Sequence, residues 1–138
     1  MIDSTFRHAM TLVELLVDIG PMSKVQACEK LGWSEGRFSS ALGQAREHLC
    51  PVMEVAIPMP TPPEWLYRVT DDWDEVEHGA AFALGRVDNT LRRVYQDVGI
   101  ILPKLKRGTK EWRRANFLNK HLGHITNTMA EINNDPER

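Results

Sequence analysis

The sequence predicts a mostly α protein with one small β-hairpin: three short helices, the hairpin, then two long C-terminal helices. Three observations predict it. Apolar residues in the first fifty positions recur at three- and four-residue steps, broken at Gly20-Pro21 and Gly32. A β-branched run, residues 52–57, and an aromatic run, residues 65–70, flank the proline-rich PMPTPPE. From Trp73 onward apolar residues alternate steps of four and three, the pattern of a heptad seam. The expected organisation is a first domain over 1–72, a two-helix region over 73–134 and a polar tail, 135–138.

Each element has a local reason. Helix one, from Thr5 to Ile19, carries Phe6, Met10, Val13, Leu16 and Val17 as its stripe and stops at Gly20-Pro21. Ser23 caps helix two, with Gln26 three residues on to complete a capping box. Val25, Cys28 and Leu31 form its inner face, and Gly32 suits the left-handed position that ends a helix. Ser34 caps helix three, whose inner face is Phe38, Ala41, Leu42, Ala45 and Leu49 and whose end falls before Pro51. Val52 to Ile57 is the first strand of the hairpin. Prolines exclude the tip from a sheet interior because they lack a donor. Trp65 to Thr70 is the second strand, with Trp65, Tyr67 and Val69 on one face. The first long helix has Ala80, Leu84, Val87, Leu91, Val94, Val98 and Ile101 along its seam and ends at Pro103. Thr109 caps the second, with Ala115, Leu118, Leu122, Ile125, Met129 and Ile132.

Composition sets the class. With 138 residues, 42% apolar and 26% charged, the chain is long enough for one compact domain with an accessory element. No apolar run reaches the ~18 residues of a membrane span. The N-terminal MIDSTFRHAM lacks the basic and apolar regions of a secretion signal. Two cysteines, Cys28 and Cys50, suit a reduced, cytoplasmic protein. Net charge is −2, unevenly spread: residues 1–70 hold 6 basic and 8 acidic side chains, 71–99 hold 3 and 7, and 100–125 hold 7 and 1.

Three helices followed by a hairpin, with SKVQACEKLGWSEGRFSSAL supplying a small residue at Cys28, a turn glycine at Gly32 and a capping serine at Ser34, resembles a winged helix-turn-helix. YRVT running into Asp71-Asp72 resembles the end of the wing in MarR- and PadR-type transcriptional regulators. The resemblance covers residues 5–72. It implies a reader of double-stranded DNA that dimerises through helices flanking the reading domain, with Leu84, Val87, Leu91, Val94, Val98, Leu118, Leu122, Ile125 and Met129 as the seam. The same seams also suit a helical hairpin within one chain, and both pairings stand.

With Phe38, Leu42, Ala45 and Leu49 inward, helix three turns Gly36, Ser40, Gly43 and Glu47 outward, flanked by Arg37 and Gln44 on one side and Ser39 on the other. Arg37 and Gln44 are the residue types that bond guanine and adenine in bidentate fashion, and Ser39 and Ser40 can donate to bases or phosphates. The expected base contacts are therefore Arg37, Ser39, Ser40 and Gln44. The expected phosphate contacts are Lys24, Arg46 and Arg68. The wing tip departs from the family pattern, because it has no Lys or Arg and carries Glu64. That tip and the acidic balance of residues 1–70 favour a second reading: a winged domain that docks on another protein, as in a phage or mobile-element protein acting on host machinery, with the SSALG stretch serving tight packing. A second basic surface is expected at Lys104, Lys106, Arg107, Lys110, Arg113 and Arg114, either as phosphate contacts or as a solvated junction paired with the acidic 71–77 stretch. No nucleotide-binding loop, nucleophile elbow or CxxC is present. His121 and His124 lack an acidic or cysteine partner at ligand spacing. The expectation is no enzyme, no metal and no cofactor.

Overall fold

The computed structural model describes residues 4–134. It is mostly helical, with one two-stranded antiparallel sheet and two long C-terminal helices. The order is α1 (Ser4–Asp18), β1 (Met22–Ser23), α2 (Lys24–Leu31), α3 (Glu35–Gln44), a π-helical turn (Ala45–Leu49), α4 (Cys50–Met53), β2 (Leu66–Tyr67), α5 (Trp73–Ile101), a 3₁₀ turn (Leu102–Lys104) and α6 (Lys110–Asn133). Among the described residues no helix is long and apolar enough to cross a membrane. The expected tail, 135–138, lies outside the described residues. The chain divides into two compact units, one ending at Phe82 and one beginning at Ala83, so the division falls inside α5 rather than at 72/73.

The core of the first unit is built from α1 and α3. Ala9, Leu12, Val13 and Leu16 of α1 are buried together with Met22, Ala27, Phe38, Ala41, Leu42, Ala45, Cys50 and Ile57. This corrects the expected α1 stripe: Met10 is 39% and Val17 55% exposed, while Ala9 is fully buried. Ranking positions by side-chain size favours Met10 and Val17 over the alanine. The inward arc is set instead by the i, i+3, i+4, i+7 set 9, 12, 13, 16, and a small residue lets helices approach closely. The same holds in α2, where Val25 is 61% exposed and Ala27 is the buried residue. In α3 the expected inner face holds, with Phe38, Ala41 and Leu42 buried.

The helical path does not stop before Pro51, as the sequence suggests. Proline has no amide to donate, and its ring clashes with the carbonyl four residues back in a regular α-helix. Here the Ala45–Leu49 segment widens to a π-turn, with the Cys50 amide bonded to the Ala45 carbonyl, and Pro51 starts a further helical turn. Val52 and Met53 are thus helical, and Glu54 ends the turn at φ 56°. The expected two-strand hairpin is accordingly corrected. Of strand 52–57 one bridge survives, Ala56 with Thr70, closed by amide–carbonyl bonds of 2.8 and 2.9 Å. The partner of Leu66–Tyr67 is instead Met22–Ser23, in the register Met22 with Tyr67 and Ser23 with Leu66. Trp65 takes φ 55°, which breaks the second strand at its first residue. The ring of Trp65 therefore meets Phe82 edge-on at 5.5 Å, while Tyr67 meets Phe38 at 5.2 Å, so the two do not share a sheet face as expected. The first turns of α5 lie tight on the proline segment. A Cβ on Gly79 would stand 2.8 Å from the Met59 carbonyl oxygen and 3.0 Å from Pro58 Cβ.

In the second unit α5 and α6 pair antiparallel within the chain. Tyr95 lies across Gly123, where a Cβ would sit 3.4 Å from its hydroxyl oxygen, and Gly99 faces Asn119. Asn133 Nδ2 donates to Asp88 Oδ2 at 3.5 Å. Asp88 is buried and accepts from Arg92 Nε at 3.0 and 3.1 Å. Met129 and Thr126 are buried beside these contacts. Several seam residues stay open along the hairpin: Val87, Val94, Leu118 and Ile125 are 38–48% exposed.

Candidate nucleic-acid interface

The α2–turn–α3 unit is fixed by reciprocal caps. Ser23 Oγ accepts from the Gln26 amide at 3.2 Å, and Gln26 Oε1 accepts from the Ser23 amide at 2.9 Å, the expected capping box. Gly32 takes φ 67°, a conformation open to glycine at little cost. The Trp33 amide then closes on the Cys28 carbonyl, and Cys28 Sγ donates to the Ser34 carbonyl at 3.8 Å. Ser34 Oγ accepts from the Arg37 amide at 3.2 Å and starts α3. Each cap satisfies an amide that the first helical turn leaves without a partner.

Anchored by Phe38, Ala41 and Leu42, α3 presents Gly36, Arg37, Ser39, Ser40 and Gly43 as exposed residues, with Gln44 half-buried. Arg37, Ser40 and Gln44, spaced three and four apart, are brought to one edge, and Ser39 stands off it. No ion pair or side-chain hydrogen bond engages Arg37, Ser39 or Ser40 among the described residues. The two glycines are unusual in another way. A Cβ on Gly43 would meet nothing within 4 Å, and one on Gly36 would meet only Ser34 Oγ at 3.9 Å. Nothing inside the molecule requires them, and each costs a helix interior about 1 kcal/mol relative to alanine.

The three expected phosphate contacts fare differently. Lys24 Nζ stands 3.8 Å from Glu35 Oε2, and Arg68 Nη1 stands 3.3 Å from Glu75 Oε1. A phosphate would have to replace those carboxylates. Arg46 is corrected outright. Its Nε donates to the Ile57 carbonyl at 3.0 Å and its Nη2 to the Pro58 carbonyl at 3.4 Å, with Tyr67's ring 6.0 Å away. Burial lowers its pKa, opposed by Tyr67 and Cys50. Burial also raises the pKa of the Cys50 thiol, opposed by Arg46 and by a hydrogen bond with the backbone of Ile57. Arg46 is therefore a clamp on the chain entering the proline segment. Sequence placed it beside the groove because it follows the exposed face. The signal against that was its position next to Ala45, an inward residue.

Arg68 and Glu75 also wall a cleft of about 490 Å³ between the proline segment and the start of α5, with Thr61, Glu64 and His78 on its rim. Among the described residues no group of three or more His, Cys, Asp or Glu can hold a metal. His121 stacks at a tilt on Phe117, ring centroids 4.2 Å apart.

The six residues of the expected second basic surface lie at the turn between α5 and α6. All six are exposed, and none forms an ion pair among the described residues. Comparison with protein-family models, with curated proteins and with solved structures finds no match to this chain.

Proposed function

We propose that the protein is a dimeric, sequence-specific DNA-binding regulator of transcription whose first unit is a winged helix-turn-helix with α3 as the recognition helix. The observation that carries this reading is the outer face of α3: a capped, firmly seated helix whose exposed residues are one unpaired arginine, two serines and two glycines that no internal contact requires. Small residues let a helix backbone approach base edges, and Arg37 supplies the bidentate donor that guanine accepts. The antiparallel pairing of β1 with β2 and the Ala56–Thr70 bridge are the sheet such a domain needs. The open apolar edge of the α5–α6 hairpin supports a second copy as its cover, which would set two α3 helices about 34 Å apart on successive major grooves.

The test is selection of bound duplexes from a random pool, followed by titration of the winning sequence. Wild type is expected to enrich a two-fold symmetric site. Arg37→Ala is expected to relax preference at one base pair per half-site by about tenfold, from ~1–3 kcal/mol per bidentate contact. Ser40→Glu is expected to abolish binding. Failure to enrich any duplex would sink the reading. Gly43→Ala separates the helix from its use: thermal melting should show a gain of up to about 1 kcal/mol, while the added methyl weakens binding to the selected site. A variant that is more stable and binds equally well would remove the glycine argument.

A second reading has its own support. Lys24 and Arg68 are already paired with carboxylates, and the proline tip carries no base. Both suit a domain that docks on another protein rather than on phosphates.

A further inference from the structure

The strongest concentration of uncompensated charge lies far along the chain from α3. Residues 104–114 hold six of the chain's 17 basic side chains and one acid, Glu111. The segment is rigidly built. The Leu105 amide bonds the Leu102 carbonyl, and the Thr109 amide and hydroxyl both donate to the Lys106 carbonyl, at 3.2 and 2.7 Å. Gly108 takes φ 88° to make the turn, and Arg113 Nη1 donates to its carbonyl at 3.3 Å. Arg107 lies over the half-buried ring of Trp112, 5.7 Å from its centroid.

Thr109 then starts α6, its Oγ1 accepting from the Trp112 amide at 3.2 Å. The first amides of a helix have no acceptor within it and carry the positive end of its dipole. Lys106, Arg107, Lys110 and Arg113 surround that end. A solvated junction would be expected to hold its charges against nearby acids, yet none of the six is in an ion pair among the described residues.

We infer that this turn is a second nucleic-acid contact, a preorganised clamp for the phosphate backbone of duplex DNA that adds affinity without reading sequence. The clamp needs no base-edge donor, because rigid cations and helix-end amides answer the repeating charge of the backbone. The choice of duplex DNA as the polyanion rests on the function proposed above. The chemistry of the turn does not depend on α3.

The experiment is a salt series of binding to a mixed-sequence duplex by the full chain, comparing wild type, Lys106→Ala/Arg107→Ala/Lys110→Ala, the charge-keeping Lys106→Arg/Lys110→Arg, and Arg37→Ala. Each phosphate contact contributes about 0.9 to the slope of log affinity against log salt. The triple alanine variant is expected to lose about 2–3 from that slope and on the order of 100-fold in affinity near 0.1 M salt. The arginine variant keeps both, and Arg37→Ala keeps the slope within about one unit. Melting of the triple variant should match wild type, since the three side chains are exposed. An unchanged slope in the triple variant overturns the inference, whether or not α3 proves to be the reader. So does wild type that binds vesicles of anionic lipid but no duplex at low salt. A reduced slope with no sequence preference anywhere retains the clamp and removes the α3 reading.

Discussion

Phe38→Ala is expected to destabilise the first unit by about 3–5 kcal/mol, the range for emptying an aromatic site in a packed core. Phe38 is 1% exposed and is, with Leu12, one of the two largest fully buried side chains. It joins the core on which α1 and α3 meet to the sheet, through its edge-on contact with Tyr67. Removing the ring leaves a cavity that α1 and α3 cannot close without moving, and it also forfeits an aromatic pair worth about 0.5–1.5 kcal/mol. For a unit of this size the melting temperature should fall by on the order of 15 °C or more. Phe38→Leu refills most of the space and should give a milder loss. Urea denaturation of the three proteins checks this, with the midpoint falling and the slope retained. Because α3 is seated by this residue, the alanine variant should also bind DNA poorly near its lowered melting point and recover on cooling. Equal midpoints for wild type and Phe38→Ala would show that α3 is held by something other than this core.

What could be read from the sequence was what local chemistry decides. The Ser23–Gln26 box, the left-handed Gly32, and the Ser34 and Thr109 caps each depend on residues three or four apart, and each is present as expected. What was misread depended on distant partners. Met22–Ser23 is a two-residue strand with no β signal of its own, and it pairs because Tyr67, forty-five positions away, comes beside it. The run 52–57 has the β-branched composition of a strand, but a widened turn carries the helix through Pro51 and uses up Val52 and Met53. Helix faces were misjudged where an alanine mattered. Ala9 and Ala27 are fully buried because the neighbouring helix approaches them, and a pattern weighted by side-chain size passes over them. The seams of α5 and α6 suited an intrachain or an interchain pairing equally well. The choice of an intrachain hairpin comes from Gly99, Gly123 and the Asp88–Asn133 contact, none of which belongs to the apolar pattern. For the candidate site, the outer face of α3 was legible because the inner face fixes it. The fate of Arg46 was not, since its acceptors lie eleven and twelve residues away in an irregular segment.

Arg46 is also where a structural role and a DNA-contacting role predict opposite measurements. Its guanidinium satisfies the carbonyls of Ile57 and Pro58, and Ile57 is buried. A hydrogen bond from a charged donor is worth about 1.5–3 kcal/mol, and removing the donor leaves a buried carbonyl without a partner. Arg46→Met fills similar volume with no donor, so a loss of about 2–3 kcal/mol in the first unit is expected from the shorter bond, the 3.4 Å contact adding little. Arg46→Lys should recover only part, because one ammonium cannot reproduce the planar fork that spans two successive carbonyls. If Arg46 were instead a phosphate contact, Arg46→Met would leave melting unchanged and take about 0.9 from the salt slope of DNA binding. The geometry predicts the reverse: a lower melting temperature with the slope retained at temperatures where the variant is folded. The proline segment should also loosen, because the clamp ties residues 57 and 58 to the end of α3. Limited proteolysis between Ile57 and Trp65 is therefore expected to accelerate in Arg46→Met before the helices are cut. Cleavage there at the wild-type rate would mean that the sheet bridge at Ala56–Thr70 holds the segment without Arg46.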